Sequence, residues 1–569
     1  IVVTGARTEQ AVGDSAVATQ VIRREAIEAS GAENLAELLE EQPGLQVLRA
    51  FAGAGGAGVQ MQGLDPKYTL ILVDGQRATG RINGTIDLSR FPAEDIEQVE
   101  IVKGPGSALY GADAIAGVIN IITRKTQRAR EAEAHASYGS FDTQDLSGRA
   151  GLRRGRWGGG LAAGWHHTRG FDRDPSTLAT TGNAQQNLNL SQWTELRARS
   201  DVKLTLTADA QQRDLRGVDS GATRAVFDRQ NLTRTASLTL TPELTWAAPA
   251  RLRLTGHVAY FDDRYSLDQR GSDELDDLQR TRDALGQVSA QYDHLVAGRH
   301  MFTAGVETQL EGLSTPRLEQ GRASRQRFAL FVQDEWRVRG DSRVVIVPGG
   351  RFDLDSQFGV FATPRLALRV DPHPDLTLRA SAGLGYRAPS FRELYLSFAN
   401  PSAGYRVSGN PELRPETSRG LTVGFLVKAG GFAQLEAHAF ANDLHNLITT
   451  DTSSVMAVGQ GVFSYVNVGS ARTRGVEAVF GLRARRLVSG DASYTLSDTL
   501  DRERMRPLPG KPRHSGSVRL QLHHRGAGTT AQLRIGVQGR QQYYADADAD
   551  GVDEVVGEIG RASCRERVS

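Results

Sequence analysis

The chain has 569 residues, with 68 Lys and Arg against 66 Asp and Glu, a formal net charge of +2, and one cysteine. That balance excludes nucleic-acid binding by bulk charge, and a lone thiol, Cys564, excludes an internal disulfide framework or a cysteine-based zinc site. No stretch approaches ~18 consecutive apolar residues, so there is no transmembrane helix; a transmembrane β-barrel, which hides its apolar residues in alternation, fits the same composition.

The opening IVVTGARTEQ has neither the basic region nor the long apolar run of a signal peptide, so the chain reads as cytosolic or as a mature or trimmed form. Up to about Thr126 it reads as a compact α/β unit. SGAENLAELLEEQPG is a short helix: Ser30 and Glu33 have capping-box spacing, Leu35, Leu38 and Leu39 share a face, and Pro43-Gly44 stops it. VQMQG, TLILVDG, IEQVEIVKG and AGVINIIT read as short strands ending in turn residues. Between them, FAGAGGAG and ATGRINGT are loops needing positive φ or close backbone approach.

Within KGPGSALYGADAIAGVIN, Gly106 to Gly111 has the G-x-x-x-x-G spacing of a phosphate-cradling loop. A working P-loop needs Lys and then Ser or Thr directly after the second glycine. Here Ala112-Asp113 follows, and an aspartate would repel phosphate. The spacing therefore does not carry nucleotide chemistry.

After about Arg128 period-2 alternation takes over. In RLRLTGHVAYF, Leu252, Leu254, Val258 and Tyr260 alternate with Arg251, Arg253, Thr255 and His257. RLALRV and DLTLRASAGLGY behave likewise across the tight turn DPHPD. Segments of roughly ten residues suffice to cross a bilayer when tilted, and tight turns alternating with long polar loops complete the outer-membrane barrel pattern. Arginine on the polar face suits a wet lumen better than a sandwich core. No repeat of about 40 to 50 residues supports a propeller.

Other chemistry is sparse. His166-His167 and His523-His524 are neighbours on strands, so each pair points to opposite faces and cannot chelate one metal. ADADADGVDE puts Asp546, Asp548 and Asp550 at positions 1, 3 and 5 of a calcium loop, but position 12 is Gly557, with Glu558 one late. A solvated acidic loop and a structural calcium site both remain open there. No catalytic constellation is found, so an enzyme is not expected. EIGRASCRERV, Glu558 to Val568, looks like the translation of a sequencing-adapter oligonucleotide and is expected to break strand grammar, with native sequence stopping near Gly557.

The chain as a whole resembles the TonB-dependent outer-membrane receptors. IVVTG is similar to the family's TonB box, and GLDPKYTLILVDGQR with IDLSRFPAEDIEQVEIVKGPGSALYGADAIAGVINIITRK resembles its plug domain. GYRAPSFRELY, GNPELRPETS, YVNVGSARTRGVE and RPLPGKPRH resemble barrel segments. The resemblance implies an all-β transmembrane antiparallel barrel with an N-terminal α/β plug in its lumen. The family barrel has about 22 strands, and about 19 are expected here because roughly the last three, with the terminal aromatic strand, would be missing. The implied divisions are a TonB box and extension over 1–8, a plug over 9–126, a barrel over 127–557 and a non-native tail over 558–569.

The implied activity is energised uptake of a scarce ligand across the bacterial outer membrane by a monomer without an obligatory cofactor. TonB, with ExbB and ExbD, would engage Ile1, Val2, Val3, Thr4 and Gly5, a β-prone segment able to add to a partner's sheet edge. Outer-membrane lipid surrounds such receptors, and colicin or phage are further potential partners. Arg49, Arg77 and Arg81, with Asn83, flank predicted apical plug loops, and a cationic apex suits an anionic ferric siderophore; equally, these arginines could pair with wall carboxylates. Tyr395 and Tyr405 lie between YRAP and NPEL, where haem receptors of the family carry a histidine and this chain has none. An iron–siderophore complex is therefore the expected ligand, with cobalamin or haem as alternatives and a passive porin as the reading from a different class. A porin would need neither a TonB box nor a plug.

Overall fold

The computed structural model describes residues 4–568 apart from positions 6, 9, 50–55, 83, 221–224, 247–248, 339–342, 401–404, 452–461, 485–486, 525–528 and 546–553. Among the described residues the N-terminal unit has nine strands: β1 (Thr19–Arg23), β2 (Leu45–Arg49), β3 (Ala57–Met61), β4 (Thr69–Val73), β5 (Gln76–Arg77), β6 (Arg81–Ile82), β7 (Thr85–Ile86), β8 (Ile96–Lys103) and β9 (Gly117–Thr123). Five form the central sheet in the order β1-β8-β9-β4-β5, with β4 and β9 parallel. Helices α1 (Arg24–Ser30) and α2 (Leu35–Glu40) pack on the strands of this unit. Leu35, Leu38 and Leu39 join Ile27, Val99, Ile101 and Ile119 in one buried core.

The helix expected in SGAENLAELLEEQPG is α2, but its start differs. Asn34, not Ser30, is the N-cap, its side chain accepting from the Glu37 amide at 3.2 Å. Ser30 instead ends α1, and its hydroxyl donates to the Ile27 carbonyl at 2.6 Å. Both residues are competent caps; only Asn34 stands where the backbone is extended.

Among the described residues the rest of the chain forms a 22-stranded sheet. Two of its members, Ser397–Asn400 and Tyr405–Ser408, are short loop strands, because Leu376–Arg387 pairs directly with Glu416–Ala429. That leaves a main ladder of twenty, of which nineteen precede Glu554–Val568. The alternation is inverted relative to a soluble protein. Along Arg322–Arg337, Arg325, Arg327, Gln333 and Glu335 are buried, while Phe328, Leu330 and Val332 are exposed. Outward apolar and inward polar side chains are what a lipid-embedded wall requires. Residues 374–375 make a tight turn on one rim, and 388–415 form a long connection on the other, the extracellular rim in this architecture.

The tail expected to break strand grammar does not do so: Glu554–Val568 pairs antiparallel with Thr529–Ala545, placing Cys564 opposite Ile535. Ladder bonds are main-chain bonds, so side-chain composition does not forbid them. Among the described residues no pairing joins Glu554–Val568 to Arg130–Gly139, the ladder's other edge.

Candidate functional site: plug apex, wall contacts and the docked N-terminal segment

The plug meets the wall through ion pairs. Lys103 at the end of β8 pairs with Glu477 at 2.5 Å and donates to the Pro43 carbonyl at 2.7 Å. Asp87 pairs with Arg213, and Asp65 with Lys511. Burial would raise the Asp87 carboxyl, but Arg213, Ser89 and the Ala57 amide hold it below its ordinary value.

A second cluster ties the plug to the extracellular connection. Arg387 donates two bonds to Glu393, at 2.9 and 2.8 Å, and a third to Glu416. Glu393 lies on a short helix, Phe391–Tyr395, where Ser390 and Glu393 complete a capping box. The Tyr68 hydroxyl of the plug donates to Glu416 at 2.9 Å, and Lys67 donates to the Ile448 carbonyl at 2.7 Å. Burial would raise the Glu393 carboxyl, yet Arg387, Lys67 and the Ser390 amide bring it down to about 2.

Of the residues singled out in the sequence, Arg49 pairs with Glu40 of the plug at 2.9 Å. Arg77 is buried and donates to the carbonyls of Tyr110 at 2.5 Å and Ala112 at 2.9 Å. Arg81 pairs with Asp113 at 2.9 Å. Burial would raise the Asp113 carboxyl, but Arg81 and Arg77 hold it well below the usual range. These partners belong to the plug itself rather than to the wall. Tyr395 is half-buried, and its hydroxyl accepts from Gln357 at 3.0 Å in an exposed bond. Tyr405 falls within a short strand, its side chain outside the described residues; Asn83, Asp546, Asp548 and Asp550 also lie outside them. Among the described residues no group of three His, Cys, Asp or Glu is placed to hold a metal ion.

Ile1, Val2 and Val3 lie outside the described residues, but Thr4 and Gly5 are buried. Thr4 donates its amide and hydroxyl to Glu100 at 2.8 and 2.5 Å. Its hydroxyl also accepts from Asn120 at 3.0 Å, and its carbonyl accepts from the Tyr110 hydroxyl at 3.1 Å. Arg7 lies between the rings of Tyr110 and Phe331, 4.7 and 4.4 Å from their centroids, and 3.4 Å from Glu307 of the wall. Burial pushes the Tyr110 hydroxyl up to about 12, so it stays a donor.

The residues that receive this segment escaped sequence reasoning. Glu100 sits in VEIV and Asn120 in GVINIIT, each a polar residue inside an apolar run. Such residues need a partner when buried, and that was the available signal.

At the extracellular rim arginines face aromatic rings. Arg317 lies 4.5 Å from the Phe398 ring centroid, and Arg325 lies 5.3 Å from Phe358 and 5.0 Å from Phe391.

Residues 11–118 match the TonB-dependent Receptor Plug Domain, and residues 123–559 match the family described as TonB dependent receptor-like, beta-barrel. The Iron-regulated outer membrane virulence protein of Vibrio cholerae is 27% identical over 568 residues, 91% of this chain and 81% of the relative. The Vitamin B12 transporter BtuB of Vibrio vulnificus is 29% identical over 463 residues, 79% of this chain and 70% of the relative. The fold is similar to that of the siderophore receptor PirA from Acinetobacter baumannii, with a TM-score of 0.79 at 18% identity over 96% of this chain and 91% of that one. It is also similar to a mutant ferric enterobactin receptor, PfeA, from Pseudomonas aeruginosa, with a TM-score of 0.80 at 18% identity over 99% and 91%. The matching family consists of receptors and transporters rather than enzymes. A plug core that carries the sheet β1-β8-β9-β4-β5, set inside a wall with its apolar side chains outward, agrees with both matches: the chain belongs to the TonB-dependent receptors of the bacterial outer membrane.

Proposed function

We propose that this receptor imports an anionic ferric siderophore, drawing energy from TonB through its N-terminal segment. The observation that carries the ligand class is the rim itself. Arg317, half-buried against the Phe398 ring, offers a guanidinium and an aromatic face to a ligand whose iron-binding groups are anionic and flat, while Arg325, buried and bonded to Gln357 and the Pro389 carbonyl, supports the rim beneath it. Arg81, whose side chain is 30% exposed, adds positive charge on the plug side. The absence of histidine between Tyr386 and Leu413 argues against haem. The iron-regulated relative fits this ligand class, while the cobalamin transporter among the relatives supports cobalamin as the second reading.

The test is uptake into a receptor-deletion strain carrying this gene, with radio-iron on catecholate and hydroxamate siderophores and with labelled cobalamin. Siderophore uptake that stops when TonB is removed is the expected result. Cobalamin uptake alone would transfer the assignment to the second reading, and uptake persisting without TonB would make the protein a passive pore.

A further inference from the structure

The outer face of the wall changes character toward the extracellular rim. In an antiparallel ladder, directly opposed residues share a face. The register of Val226–Trp246, Ala250–Gln269, Asp277–Val296 and His300–Ser314 therefore sorts their outward side chains into rows. One row is Leu238, Val258, Gly286 and Leu310, and the next is Ala236, Tyr260, Ala284 and Gly312. Leu238, Val258, Tyr260 and Leu310 are exposed, as a lipid-facing surface requires, and a tyrosine there marks the edge of the apolar band. The row beyond is Arg234, Asp262, Arg282 and Ser314, and the ladder carries it on to Arg322. Arg264 and Arg280 oppose each other one row further out. Strands alternate in direction around the ladder, so these rows approach the connection 270–276, on the same rim as 388–415.

The one acid in this cluster meets a surplus of cations. Asp262 faces outward, yet its side chain is 6% exposed because arginines cover it. Arg280 donates two bonds to it, at 2.6 and 3.0 Å, and this fork-to-carboxylate pair balances its charge. Arg264 and Arg282 stand off at 3.5 and 3.7 Å, with side chains 42% and 48% exposed. Arg234 is exposed and donates to the neutral amide of Gln212 at 2.8 Å. Four arginines thus share one carboxylate at the upper edge of the lipid-facing band.

We propose that this cluster binds phosphate groups on the headgroup of an outer-leaflet lipid, whose acyl chains lie against the apolar rows beneath. A guanidinium presents paired donors in a fixed fork that matches phosphate oxygens. The cluster lies on the lipid side of the wall, where headgroups rather than the imported ligand reach it. Neighbouring strands are ~4.8 Å apart, so Arg234, Arg282 and Arg322, each two strands from the next, stand about 10 Å apart at the backbone. That spacing suits a headgroup carrying more than one phosphate. Below Arg282 the surface is shallow: Ala284, Gly286 and Gly312 are small, and an added Cβ at Gly312 would meet nothing within 4 Å. Asp262 is a positioning residue that gathers the guanidiniums. The site is independent of the imported ligand.

The test uses the full receptor in a non-ionic detergent, titrated with diphosphoryl lipid A and followed by native mass spectrometry. Wild-type protein is expected to hold at least one lipid A and to bind lipid A stripped of both phosphates about a hundredfold more weakly, the effect of losing two charge-assisted hydrogen bonds. Arg234→Gln combined with Arg282→Gln should lower the affinity for diphosphoryl lipid A about tenfold or more. Arg199→Gln combined with Arg299→Gln removes the same charge from the opposite rim and should leave that affinity unchanged. Equal binding of the two lipids by the wild-type protein, a comparison that needs no variant, overturns the site. Unchanged affinity in the Arg234 and Arg282 pair also overturns it, and so does an equal loss in the opposite-rim pair, since diffuse charge would then suffice. A soluble acidic peptide bound as tightly as diphosphoryl lipid A would assign the cluster to a protein partner and overturn the lipid.

Discussion

Arg387 is buried between two carboxylates, Glu393 and Glu416, and the cluster joins the extracellular connection to Tyr68 of the plug. Arg387→Met would leave both carboxylates buried without their main partner, a change that typically costs about 3–5 kcal/mol. A lower urea midpoint in lipid vesicles, read by the gel mobility of unheated protein, checks it. Glu393 sets a pH limit on the same cluster. Its carboxyl is depressed from 4.5 to about 2, so the stability it contributes is complete above 4.5 and lost as pH falls toward about 2. Protection factors of the Phe391–Tyr395 amides, taken relative to the intrinsic exchange rate at each pH, should therefore stay high at mildly acid pH and fall as pH approaches that lower value; a loss of protection already at neutral pH would contradict the assignment. YRAP and NPEL were legible as motifs, but Tyr68 as the hydroxyl donor to Glu416 was not, because 348 residues separate the two.

At the scale of elements, the N-terminal segment is a short piece of chain with two competing sets of partners. Here Thr4 spends its bonds on Glu100, Asn120 and Tyr110. Strand addition to a partner's sheet edge would instead need free main-chain donors. Val3→Pro removes one donor and fixes φ. It should abolish uptake while leaving ligand affinity within about twofold; normal transport in this variant would rule out strand addition. The β-prone character of IVVTG was visible in the sequence. Its docking was not, since the receiving residues are spread over β8, β9 and the short helix Ser107–Tyr110. Helix α1 was missed for a related reason: Arg24–Ser30 is too short to show a period, and packing against β8 stabilises it more than propensity does.

At the scale of the whole molecule, the barrel is stabilised by lipid on one side and by the plug on the other. Leu366, midway along Gly359–His373, is exposed on the outer face. Leu366→Arg should cost about 2–4 kcal/mol if that position lies at the bilayer midplane, read as a lower unfolding midpoint in vesicles but not as a weaker ligand affinity. The sequence by itself determined the alternation, the change of grammar near Arg128 and four plug strands, β3, β4, β8 and β9, because period and turn chemistry are local properties that survive without neighbours; β1, β2 and β5 were not legible in it. Tertiary structure alone decided which charges meet. Arg81 could have turned to a ligand, the wall or the plug, and it pairs with Asp113; the glycines of KGPGSALYGADAIAGVIN could have held a phosphate, and they carry a loop between the apex and Thr4. Partner choice in a wet lumen depends on where the folded backbone places each side chain, and no local pattern records that distance.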